Sequence, residues 1–419
     1  MRPRPVQKVT LENGLRIITE RIPSVRSVSV GFWVLGGSRI ESPEQNGITH
    51  FIEHMLFKGT PSRTAYDIAR EIDSLGGQLD AFTSREYTCL LATVLDEHLP
   101  RAIDILTDQF KNSSFHVQEI DRERNVILEE ISMIEDTPDE YVHDLCIQNF
   151  WPHQPLGRSV IGCRENIQRF THEELVGYFH QRFLPHRIII TAAGNIHHDS
   201  FQELIYQKNF FVQGTAGPRD YVIEPPDSHY HFVHCPRQLE QTHVCLIMEG
   251  LPQSHRLRFA GYLLNAILGG GMSSRLFQKI REERGLAYSV FSSLNSFQDT
   301  GLVSFYAGTS PESIHDTIRL IFKELRTMHE KKVTEEELQR AKDQLKGNLM
   351  LGLESTANRM SKLARQEIYF GQNFSLNEIL SQIEKVNQED ILELAGLLFH
   401  TDKFSLAVLG EADKLEQPL

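Results

Sequence analysis

Two hydrophobic periods alternate along the chain, and the changes between them mark out its elements. Apolar positions on either side of Asn13-Gly14 predict a hairpin over residues 9–20. Residues 25–35 are valine-rich and alternate, a strand pattern that Gly36-Gly37-Ser38-Arg39 breaks. A helical pattern follows at 47–57, a second at 62–75 ending at Gly76-Gly77, and a long strand pattern at 78–94. At 99–111, Ile103, Leu106 and Phe110 are spaced for one helix face. Residues 117–134 read as a strong helix, polar at its start and apolar at Val126, Ile127 and Ile131. Further helices are expected at 139–150 and 175–183, and a strand at 187–192.

The second half repeats this order. Strand patterns lie at 242–248, 287–294 and 301–307, and helical ones at 257–268, 314–328 and 334–351. Glu119-Ile120-Asp121-Arg122 aligns with Glu337-Leu338-Gln339-Arg340. Such a duplication predicts two similar α+β domains, each a mostly antiparallel sheet flanked by helices. The expected bounds are 1–212 and 239–419, joined by a linker at 213–238 that carries Pro225-Pro226 and the alternating His229, His231 and His234.

Composition narrows the class without fixing the function. The 419 residues are 40% hydrophobic and 24% charged, the mix of a soluble globular protein. No run approaches the ~20 apolar residues of a membrane helix. The N-terminal Met1-Arg2-Pro3-Arg4-Pro5 leads straight into a strand pattern with no signal-peptide core, so a cytoplasmic protein is expected. A net charge of −13 argues against nucleic acid as a partner. The five cysteines are scattered without a C-x-x-C pair, suggesting neither disulfides nor a cysteine metal site.

The candidate chemistry sits in the helix at 47–57. His50 and His54 are four residues apart, so they project from one face on successive turns. Two imidazoles placed so can grip one metal ion, with Glu53 beside them to hold a bound water. His-x-x-Glu-His is the inverted form of a common zinc-protease motif. Such a site needs a third protein ligand. Glu123, Glu129 and Glu130 on the helix at 117–134 are candidates, and residue patterning does not choose among them. The repeat has no histidine in the corresponding helix, and Ala341 and Asn348 stand where Glu123 and Glu130 do.

His50-x-x-Glu53-His54, Phe57-Lys58-Gly59-Thr60 and the run from Arg122 to Glu130 together resemble the pitrilysin/insulinase family of zinc peptidases. The likeness is greatest to its mitochondrial-processing-peptidase-like branch of short bacterial chains, and it spans essentially the whole length. It implies Zn2+ as cofactor, held by His50, His54 and Glu130, because the family's third ligand lies 76 residues beyond the second histidine. Glu123 then matches a carboxylate that orients a ligand histidine, and Glu53 the general base. Arg281 and Tyr288 match an Arg-x6-Tyr pair that holds the substrate carbonyl. Asp80, Ala81 and Phe82 fall in the edge strand to which the peptide adds, with Asp80 where the family often has asparagine. Glu140 and Asp144 match positions that hold an arginine near the cut, and Phe57 one that holds an aromatic side chain after it.

The resemblance further implies an endopeptidase acting on unfolded peptides. The family closes a four-domain clamshell, of which this chain is half, so a homodimer enclosing a chamber is expected. By the same likeness, the Arg281/Tyr288 pair of one subunit would face the zinc of the other. The family also includes non-catalytic scaffold subunits and subunits that need a different, inactive partner. The complete set of His50, Glu53, His54 and Glu130 favours the active reading.

Overall fold

The computed structural model describes residues 6–208, 223–400 and 402–412. In the first half, strands β1 (Val6–Thr10), β2 (Arg16–Arg21) and β3 (Ser27–Leu35) lead into helices α1 (Ile48–Met55) and α2 (Ala65–Ser74). Strands β4 (Gln78–Thr83) and β5 (Tyr87–Leu95) follow, then α3 (Leu99–Asn112), α4 (Val117–Glu135), α5 (Pro138–Phe150), α6 (Arg164–Arg169), α7 (His172–Arg182), β6 (Ile188–Gly194) and α8 (His198–Gln207). The second half runs β7 (Phe232–Cys235), β8 (Thr242–Gly250), α9 (Arg258–Leu268), β9 (Ala287–Ser296), β10 (Gly301–Thr309), α10 (Ile314–Glu330), α11 (Glu335–Gly352), α12 (Thr356–Phe370), α13 (Leu376–Lys385), α14 (Gln388–Leu398) and β11 (Ser405–Leu409).

These elements form two sheets, ordered β1-β2-β6-β3-β5-β4 and β7-β11-β8-β10-β9. Both are antiparallel except at one pair each, β2 with β6 and β7 with β11. Each sheet is buried on both faces. Along β3, Val28, Val30, Phe32 and Val34 enter one core while Trp33 and Leu35 enter another. That double burial explains why the alternation at the start of β3 gives way to the apolar run Phe32-Trp33-Val34-Leu35.

The compact units do not follow the repeat as contiguous domains. One comprises Met1–Ile131, Ser159–Val222 and Leu351–Asn373; the other comprises Ser132–Arg158, Ile223–Met350 and Phe374–Leu419. Each half thus lends one helix to the other half's sheet. Helix α12 places Met360, Leu363, Ala364 and Ile368 against Ile18, Trp33 and Ile189. Helix α5 places Val142, Cys146 and Phe150 against Cys245, Ile247, Ala407 and Leu409. The register that aligns Glu119 with Glu337 also aligns Val142 with Met360, Cys146 with Ala364 and Phe150 with Ile368. The lent helices are therefore equivalent members of the duplication.

Two local expectations are corrected. The strand pattern at 78–94 is a hairpin, β4 and β5 joined at Ser84-Arg85-Glu86. No Gly or Pro announces that turn, which rests on bonds between the Ser84 hydroxyl and the Tyr87 backbone and on contacts from a distant segment. Gly36, Ser38 and Arg39 donate backbone hydrogen bonds to Glu86, Ser84 and Arg85, and Arg39 pairs with Glu86 in a buried ion pair of 2.8 Å. Residues 232–235 of the expected linker are strand β7, paired to β11, while 213–222 lie outside the described residues. Residues 1–5, whose reading bears on localisation, also lie outside them.

Candidate metal centre

Helix α1 begins at Gly47, whose φ of 97° is a left-handed value that glycine adopts without strain. No side chain of the helix caps its start. The buried Glu41 does so from outside: its two carboxylate oxygens accept the N–H groups of Gly47 and Thr49, each at 2.9 Å. An anion is favoured there by the helix dipole. Burial nevertheless dominates and pushes the Glu41 carboxyl up to about 7, against the pull of those hydrogen bonds. The apolar side of α1, Ile48, Phe51, Ile52 and Met55, is sealed in the core. That seating leaves His50, Glu53 and His54 on the other side.

Three of the expected residues meet. His50, His54 and Glu130 offer ligand atoms all within 4.8 Å of one another, the one such group of three among the described residues. Glu130 Oε2 lies 3.9 Å from His50 Nε2 and 3.5 Å from His54 Nε2. The turn of α4 separates the three glutamates: Glu129 is exposed, Glu130 reaches the histidines, and Glu123 is buried behind them. Glu123 Oε2 sits 3.0 Å from His54 Nδ1, and its other oxygen takes Lys58 Nζ at 2.6 Å.

Electrostatics sort these groups. Burial, helped by the neighbouring His54, lowers His50 to about 3, so it is a neutral imidazole with a lone pair to give. Burial would also lower His54, but the Glu123 hydrogen bond and the charges of Glu130 and Glu53 outweigh it and raise it. Burial works against the Glu123 carboxylate, yet His54 and Lys58 hold it below its usual range. Glu53 is raised, chiefly by burial, while a 2.5 Å hydrogen bond from the Thr83 hydroxyl pulls the other way. Two imidazole nitrogens and one carboxylate oxygen on one spot are a donor set that suits zinc. With Nδ1 of His54 turned to Glu123, its Nε2 faces Glu130, as a ligand histidine with an oriented ring would.

The remaining expected residues lie as follows. Asp80, Ala81 and Phe82 are on β4, the edge strand of the first sheet, with Phe82 edge-on to Trp33 at 5.7 Å. Phe57 is half-buried against the core that seals the apolar side of α1. Glu140, exposed, and Asp144, half-buried, are on α5 in the second unit. Arg281 and Tyr288 are brought together there: the guanidinium lies 5.3 Å from the tyrosine ring centre, with Gly285 turning the chain between them at φ 61°. Arg281 stands on a π-helical turn, Phe277–Glu282. Tyr288 is 74% exposed on the edge strand β9, so it is no core residue. The three alternating histidines do not converge on a metal: His229 and His231 stack at 5.9 Å, and His234 bonds Gly410 O. Sequence reasoning missed the support from Glu41, Lys58 and Thr83. No spacing rule links them to the site, since each reaches it by tertiary packing.

The chain is similar to known proteins over nearly its whole length. Residues 16–164 match the family described as Insulinase (Peptidase family M16), and residues 169–345 match the Peptidase M16 inactive domain. The "Uncharacterized zinc protease YmxG" of Bacillus subtilis is 41% identical over 410 residues, 98% of this chain and 99% of that protein. An "Uncharacterized zinc protease" of Streptomyces coelicolor is 40% identical over 414 residues, 97% of this chain and 89% of that one. Among solved structures, a protease from Helicobacter pylori superposes with a TM-score of 0.89 at 20% identity, covering 97% of this chain and 99% of that chain. A peptidase M16 inactive domain from Pseudomonas fluorescens gives 0.90 at 20% identity, covering 98% and 99%.

Proposed function

The chain belongs to the insulinase (peptidase M16) family, and on that footing we propose that it is a zinc-dependent endopeptidase cleaving unfolded peptides. The observation that carries the reading is the convergence of His50, His54 and Glu130, with Glu53 beside them and no such group elsewhere among the described residues. His50, His54 and Glu130 would hold the ion, which supplies Lewis-acid polarisation of the scissile carbonyl and a water of lowered pKa.

The protein's own groups do the rest. Glu53, buried and raised, takes the proton of the attacking water and delivers it to the leaving amine. Glu123 fixes the ring of His54, and Lys58 balances the charge of Glu123. Arg281 and Tyr288, already side by side, donate hydrogen bonds to the developing oxyanion; one such donor contributes about 3 kcal/mol. The peptide adds as a strand along β4, at Asp80, Ala81 and Phe82. Glu140 and Asp144 favour a basic residue near the cut, and Phe57 an aromatic one after it.

The working form is a homodimer that encloses the reaction in a chamber, within the cytoplasm. The Arg281/Tyr288 pair of each subunit serves the metal set of the other. A scaffold role is the alternative for a member of this family, and the complete ligand set speaks against it. The test is zinc content together with cleavage of a quenched, arginine-containing peptide, for wild type and Glu53→Gln. One zinc per chain in both, with cleavage only in wild type, is expected. An absence of zinc from both would sink the reading.

A further inference from the structure

A side-chain hydrogen bond from Thr83 joins the edge strand to the metal centre. Thr83 is the last residue of β4, facing Thr88 across the hairpin. Its hydroxyl donates to Glu53 Oε2 at 2.5 Å, and Thr88 Oγ1 lies 3.3 Å from the same hydroxyl. No other hydroxyl contact holds Glu53 among the described residues.

The backbone of Thr83 has a second job. Ser84 N–H bonds Tyr87 O at 2.8 Å, which makes Ser84 and Tyr87 a hydrogen-bonded pair. Hydrogen-bonded and open pairs alternate along an antiparallel ladder. Phe82 and Asp80 therefore face β5 with their backbone groups, while Thr83, Ala81 and Leu79 turn theirs to the open edge. A peptide paired to that edge bonds the backbone of Thr83, the residue whose side chain grips Glu53.

Thr83 is also held from behind. The turn that follows it is clamped by backbone bonds from Gly36, Ser38 and Arg39 and by the buried Arg39–Glu86 pair. A β-branched side chain on a fixed strand has few rotamers open to it. A cradle so over-determined is what holding a proton-transfer group in one orientation demands.

We infer that Thr83 is a positioning residue that couples peptide docking on β4 to the orientation of the Glu53 carboxylate. The inference rests on the peptidase reading above and extends it. Thr83 neither takes a proton nor forms a bond in the reaction; it sets where Glu53 points when the edge strand is occupied.

The experiment compares wild type, Thr83→Val and Thr83→Ser for zinc content, kcat and KM on one quenched peptide. It adds a thermal-unfolding double-mutant cycle of Thr83→Val with Glu53→Gln. Valine keeps the branch and loses the hydroxyl; serine keeps the hydroxyl. Thr83→Val should hold one zinc per chain, keep KM within about two-fold and lose about 10- to 100-fold in kcat. Thr83→Ser should recover most of that loss. Equal kcat in Thr83→Val and wild type would overturn the inference, as would a Thr83→Ser variant no better than Thr83→Val. A wild type that holds zinc but cleaves nothing would overturn the peptidase reading instead. In that case additive effects in the unfolding cycle, meaning no coupling between Thr83 and Glu53, would by themselves overturn this inference too.

Discussion

His54 Nδ1 lies 3.0 Å from Glu123 Oε2, so one ring nitrogen is spoken for and the other is aimed at Glu130. The carboxylate fixes both the ring's orientation and the tautomer that leaves Nε2 a lone pair. Lys58 on its far oxygen keeps that carboxylate charged.

Glu123→Gln should therefore weaken zinc binding without abolishing it, by about 10- to 100-fold in chelator competition. Glu129→Gln, on the exposed side of the same helix, should leave the affinity where it was. Equal losses in the two variants would mean that Glu123 acts through helix stability and not through His54.

Glu41 gives the site a pH-dependent foundation. Its folded pKa is raised from 4.5 to about 7, so the native chain keeps a proton that the unfolded chain releases. The stability from this source is fully present below about 4.5 and is lost as pH rises through about 7. At 1.36 kcal/mol per pKa unit its ceiling is about 3 kcal/mol. Denaturant unfolding of wild type and Glu41→Gln across that range should show a wild-type advantage that shrinks with rising pH. A difference constant with pH would refute it.

Met360 tests the lent helix. It is fully buried, and a Cβ added to Gly31 beneath it would meet its sulfur at 2.5 Å. Met360→Ala should cost about 2–5 kcal/mol in chemical denaturation. Its effect on zinc affinity should be small, since Met360 belongs to the core on the α12 face and the metal helix packs in the other core.

Mixing a His50→Ala chain with an Arg281→Ala chain tests the in-trans arrangement. Each variant alone should be inactive. After subunit exchange, the mixed dimer has one intact constellation, so cleavage should return. Silence in a mixture shown by mass to have exchanged would place the pair and the metal set in the same subunit.

Much of this architecture was legible in the chain because it rests on local patterns. The helix expected at 99–111 is Leu99–Asn112, and that at 117–134 is Val117–Glu135. His50 and His54 could be paired from spacing alone, since a helix fixes what lies four residues on. The third ligand could not. Three glutamates on one helix differ by which side meets α1, and only packing decides that Glu130 does. The turn at Ser84-Arg85-Glu86 stayed hidden because it has no Gly or Pro: the Ser84 hydroxyl and Gly36–Arg39, some fifty residues upstream, shape it together. The lending of α5 and α12 left no mark at all, because an apolar stripe does not say which sheet it will cover.

That reciprocal cover bears on ancestry. Without α12, the face of the first sheet formed by Ile18, Trp33 and Ile189 would lie bare, and without α5 so would Cys245, Ile247 and Ala407 of the second. Neither half is finished by its own residues. A half-length ancestor with this topology would be complete only as two copies trading that helix. The two copies kept α4 and its counterpart α11 but not the acidic side chains: Ala341 and Asn348 stand in the second half where Glu123 and Glu130 stand in the first.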